Sequence, residues 1–301
     1  MPRSAKATGY LCALAATVIW SGNFIVARAL ADTVPPVTTS FLRWVTALVV
    51  ILPFGLGAVR RDMPLLRANL TYFIMAGITG VSVFNTFIYI AGRTTEAINM
   101  ALIASSSPVW IIILSRILLG EAVTLRRAAG VAVSLCGTLV LVTRGDFTRL
   151  ASLRFAVGDL WMLAAALTFA SYSVLLRKKP EGISALGSLT TTFAIGVVGI
   201  LPMLAWEWGH GAQLAVTPAV VGAVLYIGIG ASLLAYLCWS VAVERIGPAK
   251  SALVYYSLPL FSATEAALLL GETITLAHVA SCALIVGGIL IATMQRAPAA
   301  K

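Results

Sequence analysis

Polar and aromatic side chains set inside otherwise unbroken apolar runs are the groups of this chain with chemistry to offer. Trp20 and Asn23 stand three residues apart, and Asn85 and Tyr89 four apart, so each pair shares one face of a helix. Phe169 and Tyr172, and then Tyr236 and Trp239, repeat the first spacing. Two more groups precede prolines, Ser105-Ser106-Ser107-Pro108 and Tyr255-Tyr256-Ser257-Leu258-Pro259. Proline withholds a backbone donor and frees a carbonyl one turn earlier, so Pro108 and Pro259 are candidate hinges. Such a set stacks on and hydrogen-bonds to a neutral or zwitterionic amphipathic solute. The same groups also serve plain helix packing, where small polar side chains bond across membrane helices. Arg43 and Glu265 are charges inside apolar runs, and a charge at the bilayer centre costs about 2.5–3.5 kcal/mol or more. An ion pair between them is the expected arrangement; proton coupling through Glu265 is the alternative. Phosphate-bearing solutes call for Arg or Lys beside the prolines, and none stands there. No enzyme site is expected, because eleven acids are scattered and His210 and His278 fall in connections or helix ends. Cys12, Cys136, Cys238 and Cys282 lack metal spacing, so no metal or cofactor is expected.

The elements that must position these residues are long and apolar. The 301 residues are 60% hydrophobic and 11% charged, with a mean hydropathy of +0.97. Soluble domains are about a quarter charged, so this chain has too little polar surface to coat a water-soluble particle. Ten runs are legible: 9–31, 38–56, 70–92, 97–119, 125–142, 157–176, 184–206, 218–243, 249–270 and 276–294. Each approaches the roughly 20 residues that span a hydrocarbon core, and continuous rather than alternating hydrophobicity favours helices over a barrel. The fold class is therefore an all-α integral membrane protein of ten transmembrane helices. The basic residues Arg3 and Lys6 ahead of the first run resemble a signal peptide, but that run recurs later, so it is read as a retained helix. A net charge of +10 does not imply nucleic acid, since the basic residues sit in short connections and form no continuous face.

The chain also repeats itself. Gly9, Leu11, Leu14, Ala15, Ala16 and Arg28 recur 149 residues on as Gly158, Leu160, Leu163, Ala164, Ala165 and Arg177, as does Leu52-Pro53 at Leu201-Pro202. After a two-residue insertion the offset is 151. It relates Gly77-Ile78 to Gly228-Ile229, Ala101-Leu102 to Ala252-Leu253, and Ser106 and Pro108 to Ser257 and Pro259. Leu118-Leu119-Gly120-Glu121 likewise matches Leu269-Leu270-Gly271-Glu272, with Thr124 and Thr275 placed to cap the next helix. The expected units are residues 9–143 and 157–295. Five spans per unit is an odd number, so the second copy must enter the membrane from the opposite side. With the N-terminus inside, fifteen of the 21 Lys and Arg residues fall on the cytoplasmic side. Arg28, Arg43, Arg93, Arg144, Arg149 and Arg154 fall outside, and the three between the units run against the rule. Both termini are therefore expected in the cytoplasm. Two units of opposite sense can exchange conformations and open a central site to either side, which is the architecture of many secondary transporters.

Paired five-helix units, each ending in Leu-Leu-Gly-Glu-x-Val/Ile-Thr-Leu, resemble EamA-type members of the drug/metabolite transporter superfamily. The prolines Pro108 and Pro259 and the segment Trp20-Ser21-Gly22-Asn23-Phe24 carry the same resemblance, which covers essentially the whole chain. Within that group the chain is most similar to the YddG-type exporters of aromatic amino acids. The resemblance implies export of amino acids across the inner membrane, with other small metabolites or lipophilic drugs as the alternative cargo. It also implies a multi-pass protein whose partners are that solute and membrane lipid, and a monomer is expected.

Overall fold

A computed structural model describes residues 3–30, 33–95, 100, 103–143, 145–148, 156–270 and 275–293. Expectations for Gly271-Glu272, Arg144, Arg149, Arg154, Arg296 and Lys301 lie outside the described residues, and no strand occurs among those described. The helices are α1 Arg3–Leu30, α2 Pro36–Ala68, α3 Leu70–Ala91, α4 Ser107–Leu119, α5 Leu125–Thr143 and α6 Val157–Arg177. They continue as α7 Ala185–Gly209, α8 Pro218–Ile246, α9 Pro248–Tyr255, α10 Leu258–Leu270 and α11 Leu276–Thr293. Seven of them, α2, α3, α5, α6, α7, α8 and α11, are long and apolar enough to cross a membrane. Large apolar side chains such as Leu125 (87% exposed) and Leu276 (83%) face outward, as lipid contact requires.

Three local features depart from the expected runs. The second helix is longer than 38–56: α2 has 33 residues, or about 50 Å, which exceeds a hydrocarbon core of about 30 Å and takes in Arg60 and Arg61 near its end. The third and eighth helices each contain a π segment, Ile78–Val83 in α3 and Tyr226–Leu234 in α8, at positions that the 151-residue offset superimposes. The ninth run is broken into α9 and α10 by a turn at Tyr256-Ser257, just as a turn at Ser105-Ser106 precedes α4. Both turns precede a proline, and both use the same bonds. The amides of Ser106 and Ser257 reach the carbonyls of Ile103 and Val254 at 3.0 Å each, and their hydroxyls reach the same carbonyls at 2.6 and 2.7 Å.

Helices at equivalent places in the repeat pack on one another in opposite senses. Along α2 from Thr38 through Trp44 and Gly55 to Asp62, the partners on α7 and at its N-cap run backwards through Trp208, Phe193, Thr190 and Ser184. On α5 and α11, Gly130 faces Gly288 and Ala292, whereas Gly137 faces Leu284 and Ile285. A Cβ on either Gly130 or Gly288 would strike the opposing backbone, so glycine is what lets these two helices touch. The α2–α7 pair is tied at both ends by carboxylates. Glu207 accepts from the amides of Val37 and Thr38 at 2.8 Å each and from the Thr38 hydroxyl at 2.7 Å. At the other end Asp62 accepts from the amide and hydroxyl of Ser184 at 2.9 and 2.5 Å. Each carboxylate sits where the amides and dipole of its partner's N-terminus favour negative charge.

Candidate functional site

The aromatic residues picked out by spacing converge where α1, α3, α6, α8 and α9 meet. Trp20 is the hub, with ring centroids 5.5 Å from Phe169, 5.7 Å from Tyr236, 5.3 Å from Trp239 and 6.0 Å from Tyr255. Tyr172 lies 5.5 Å from Tyr236, and Phe84 stacks on Phe169 at 4.8 Å. Trp20, Phe169, Tyr172, Tyr236, Trp239 and Tyr255 are all buried, so these rings close on one another. Trp44 and Phe193, the equivalent pair of α2 and α7, extend the cluster, with Trp44 4.9 Å from Tyr236. Edge-on and tilted contacts dominate, the geometry in which a positive ring edge meets a negative face.

The polar tips serve the two π segments. A π segment interrupts the regular backbone ladder and leaves carbonyls for other donors. The Tyr236 hydroxyl donates to the Gly80 carbonyl at 2.6 Å. The Trp20 indole N–H donates to the Ala231 carbonyl at 2.8 Å. Gly80 and Ala231 are the same position of the two repeats, 151 residues apart. Asn85 reaches its own equivalent, Tyr236, with a long 3.4 Å bond, and the Trp239 N–H bonds to Ser173 at 3.1 Å.

Arg43 is the principal correction to the sequence reading, which paired it with Glu265. It lies seven residues inside α2, about 10 Å from the helix start, and is 1% exposed. Its Nη1 donates to Asn23 Oδ1 at 3.0 Å and to the Tyr89 hydroxyl at 3.2 Å. Its Nη2 donates to the Ala231 carbonyl at 2.9 Å, and its Nε to the Ser232 hydroxyl. The expected ion pair with Glu265 is not formed. Glu265 Oε1 accepts from the Ser21 hydroxyl at 2.7 Å, and its Oε2 is buried without a hydrogen-bond partner. Ser21 and Asn23 are two residues apart on α1, a rotation of about 200°, so Glu265 and Arg43 approach that helix from opposite sides. The centre therefore holds a guanidinium.

Other residues singled out by sequence make different contacts. Tyr256 points about 100° away from its neighbour Tyr255 and packs among Ile112, Ala249, Leu253 and Ile285, its hydroxyl buried without a partner. Ser106 spends its hydroxyl on Ile103 and on the Trp110 N–H at 3.2 Å. Ser105 and Pro108 are buried at the same break, and Pro259 is half-buried in the first turn of α10. Sequence reasoning missed Ser232 and the π-segment carbonyls. The matched Gly77-Ile78 and Gly228-Ile229 pairs were the only signal for them, and they do not themselves spell a π turn.

A cavity of about 710 Å³ opens at the end of the molecule where α1, α9 and α5 begin and α6, α8 and α11 end. Lys6, Arg127, Arg177, Arg245 and Lys250 line it with Glu121, whose Oε2 lies 3.6 Å from Arg127 Nη1. Five cations against one acid make it an electropositive mouth between the two halves.

Seven of the described helices are thus long and apolar enough to cross a membrane, and the aromatic and guanidinium groups at their junction are buried. The chain matches the EamA-like transporter family over residues 7–143 and again over 156–294, and it belongs to that family. It is a multi-pass transporter. It is similar to the uncharacterized transporter YyaM of Bacillus subtilis, 25% identical over 94% of this chain and 93% of that protein. It is 27% identical to a probable terminal-alkyne amino-acid exporter of Streptantibioticus cattleyicolor, over 86% and 85% of the two chains. It is 25% identical to a probable amino-acid metabolite efflux pump of Salmonella typhimurium, over 94% and 93%. A solved crystal structure shares the fold, with a TM-score of 0.76 at 22% identity over 95% of this chain and 96% of the other.

Proposed function

We propose that the protein exports amino acids with apolar or aromatic side chains across the inner membrane by alternating access. The observation that carries this reading is the junction of the Trp20 aromatic cluster with the Arg43 polar cluster through one shared acceptor, the Ala231 carbonyl. An amphipathic solute has one apolar and one polar end, and this centre offers both environments side by side. The names of two relatives, an amino-acid exporter and an amino-acid metabolite efflux pump, support the same cargo.

The moving parts we assign are two inverted five-helix repeats, 9–143 and 157–295, giving ten spans with both termini in the cytoplasm. The double family match, the antiparallel α2–α7 and α5–α11 pairs and the equivalent π segments support that assignment. In it the electropositive cavity is the cytoplasmic mouth. The α2–α7 pair, tied at both ends, is the fixed spine, and the turns before Pro108 and Pro259 are the hinges around which the remaining helices rock. The test is counterflow of a panel of labelled amino acids into liposomes holding the purified protein. Exchange of aromatic or branched amino acids, cut at least tenfold by Trp20→Ala, is expected. Absence of exchange for every amino acid overturns the cargo.

A further inference from the structure

The charge on Arg43 is unanswered. The ion pairs of Arg61 with Asp62 and of Arg127 with Glu121 lie elsewhere, and Glu265, the carboxylate expected to pair with Arg43, forms no ion pair with it. All four partners of Arg43 are neutral oxygens, from Asn23, Tyr89, Ala231 and Ser232. A guanidinium has five N–H groups, so one N–H on Nη2 is left over. Neutral acceptors satisfy hydrogen-bonding geometry but do not cancel a buried positive charge, which stays costly until an anion approaches. The Trp44 ring 5.5 Å from the guanidinium carbon supplies a quadrupole and no net charge.

The surroundings suit one kind of anion. The hydroxyl of Tyr89 and the amide group of Asn23 both accept from Arg43, and each also carries hydrogens that can be donated to an oxyanion. Nη2 shares the Ala231 carbonyl with the Trp20 N–H, so a group held on that edge lies one side chain from the aromatic cluster. We propose that Arg43 receives the carboxylate of the transported solute, with Trp20 and its neighbouring rings taking the solute's apolar side chain. This rests on the amino-acid reading and sharpens it: the carboxylate is the required group, and the amino group is not. The free Nη2 N–H supplies one charge-assisted bond with the Asn23 amide and Tyr89 hydroxyl beside it, and Lys, with three donors, cannot keep the four existing bonds and free another for the carboxylate.

Titration calorimetry on the purified wild-type protein separates the claims, with L-phenylalanine, phenylpropionate (carboxylate only) and phenethylamine (amine only) as probes. Phenylpropionate and phenylalanine should bind within about tenfold of each other, and phenethylamine about thirtyfold or more weaker, the difference a charge-assisted pair makes. Arg43→Lys should weaken phenylpropionate about tenfold or more. Because Arg43 also ties α1 and α3 to α8, a variant that fails to purify leaves the wild-type comparison to decide. If phenethylamine binds as well as phenylpropionate, or neither carboxylate binds, the proposal is overturned. If phenylpropionate binds while no amino acid exchanges in liposomes, the carboxylate site stands and the amino-acid cargo falls.

Discussion

Replacing Tyr236 by Phe removes one hydroxyl from the centre and little else. The residue is 0% exposed, and its ring contacts with Trp20, Trp44 and Tyr172, at 5.7, 4.9 and 5.5 Å, survive the change. What is lost is the 2.6 Å bond to the Gly80 carbonyl and the 3.4 Å bond accepted from Asn85. The first leaves a buried π-segment carbonyl without its donor, at a cost of about 1–3 kcal/mol. Hydrogen bonds measured inside membrane proteins average nearer 0.6 kcal/mol, because the unfolded chain in the membrane also finds partners. Taken together these figures give an expected loss of about 1–2 kcal/mol. The second bond is at the edge of useful length, so Asn85→Ala should cost less than Tyr236→Phe. SDS-driven unfolding in bicelles, followed by tryptophan fluorescence, measures both. A double-mutant cycle should then give a coupling below about 0.5 kcal/mol. A loss under about 0.3 kcal/mol for Tyr236→Phe, or a larger one for Asn85→Ala, would refute the claim that the π-segment carbonyl depends on this donor.

Three further outcomes are expected. Glu207→Gln and Asp62→Asn should each lower unfolding free energy by about 0.5–2 kcal/mol by weakening a carboxylate cap, and the double variant should be additive because the sites stand at opposite ends of the α2–α7 pair. Coupling above about 1 kcal/mol in the same bicelle assay would contradict that. Gly288→Leu should disrupt the α5–α11 contact and reduce folded yield on size-exclusion chromatography, whereas Gly287→Leu, whose added atoms meet open space, should leave the yield unchanged. Single cysteines placed at Arg61 and Glu181 should be labelled by an impermeant thiol reagent from one side of oriented vesicles, and one at Trp208 from the other. Labelling of all three from one side is incompatible with antiparallel crossings of α2 and α7.

Much of the clustering at the candidate site was legible because helical spacing is local. Trp20 with Asn23, and Asn85 with Tyr89, share faces whatever the tertiary packing, and prolines that interrupt a helix do so by their own covalent geometry. The repeat itself gave more: Trp20 and Phe169 are equivalent and touch, as are Asn85 and Tyr236. Residues in equivalent positions near a shared centre meet one another, so an offset found in the chain becomes a contact in space. Tyr256 shows the limit. Adjacent to Tyr255 in the sequence, it is turned by one helical step into a different packing layer.

From the order of amino acids alone one reads a membrane chain, a duplicated helical unit, and the side chains that carry polar tips within it. Composition and periodicity decide these, since each depends on counts and spacings along one strand of polymer. That Arg43 belongs to Asn23, Tyr89 and the α8 π segment rather than to Glu265 emerged from helix packing. An arginine side chain can reach several neighbours, and which it meets depends on how far each helix is rotated and shifted. That rotation is set by the packing of every other helix, a sum no local pattern contains.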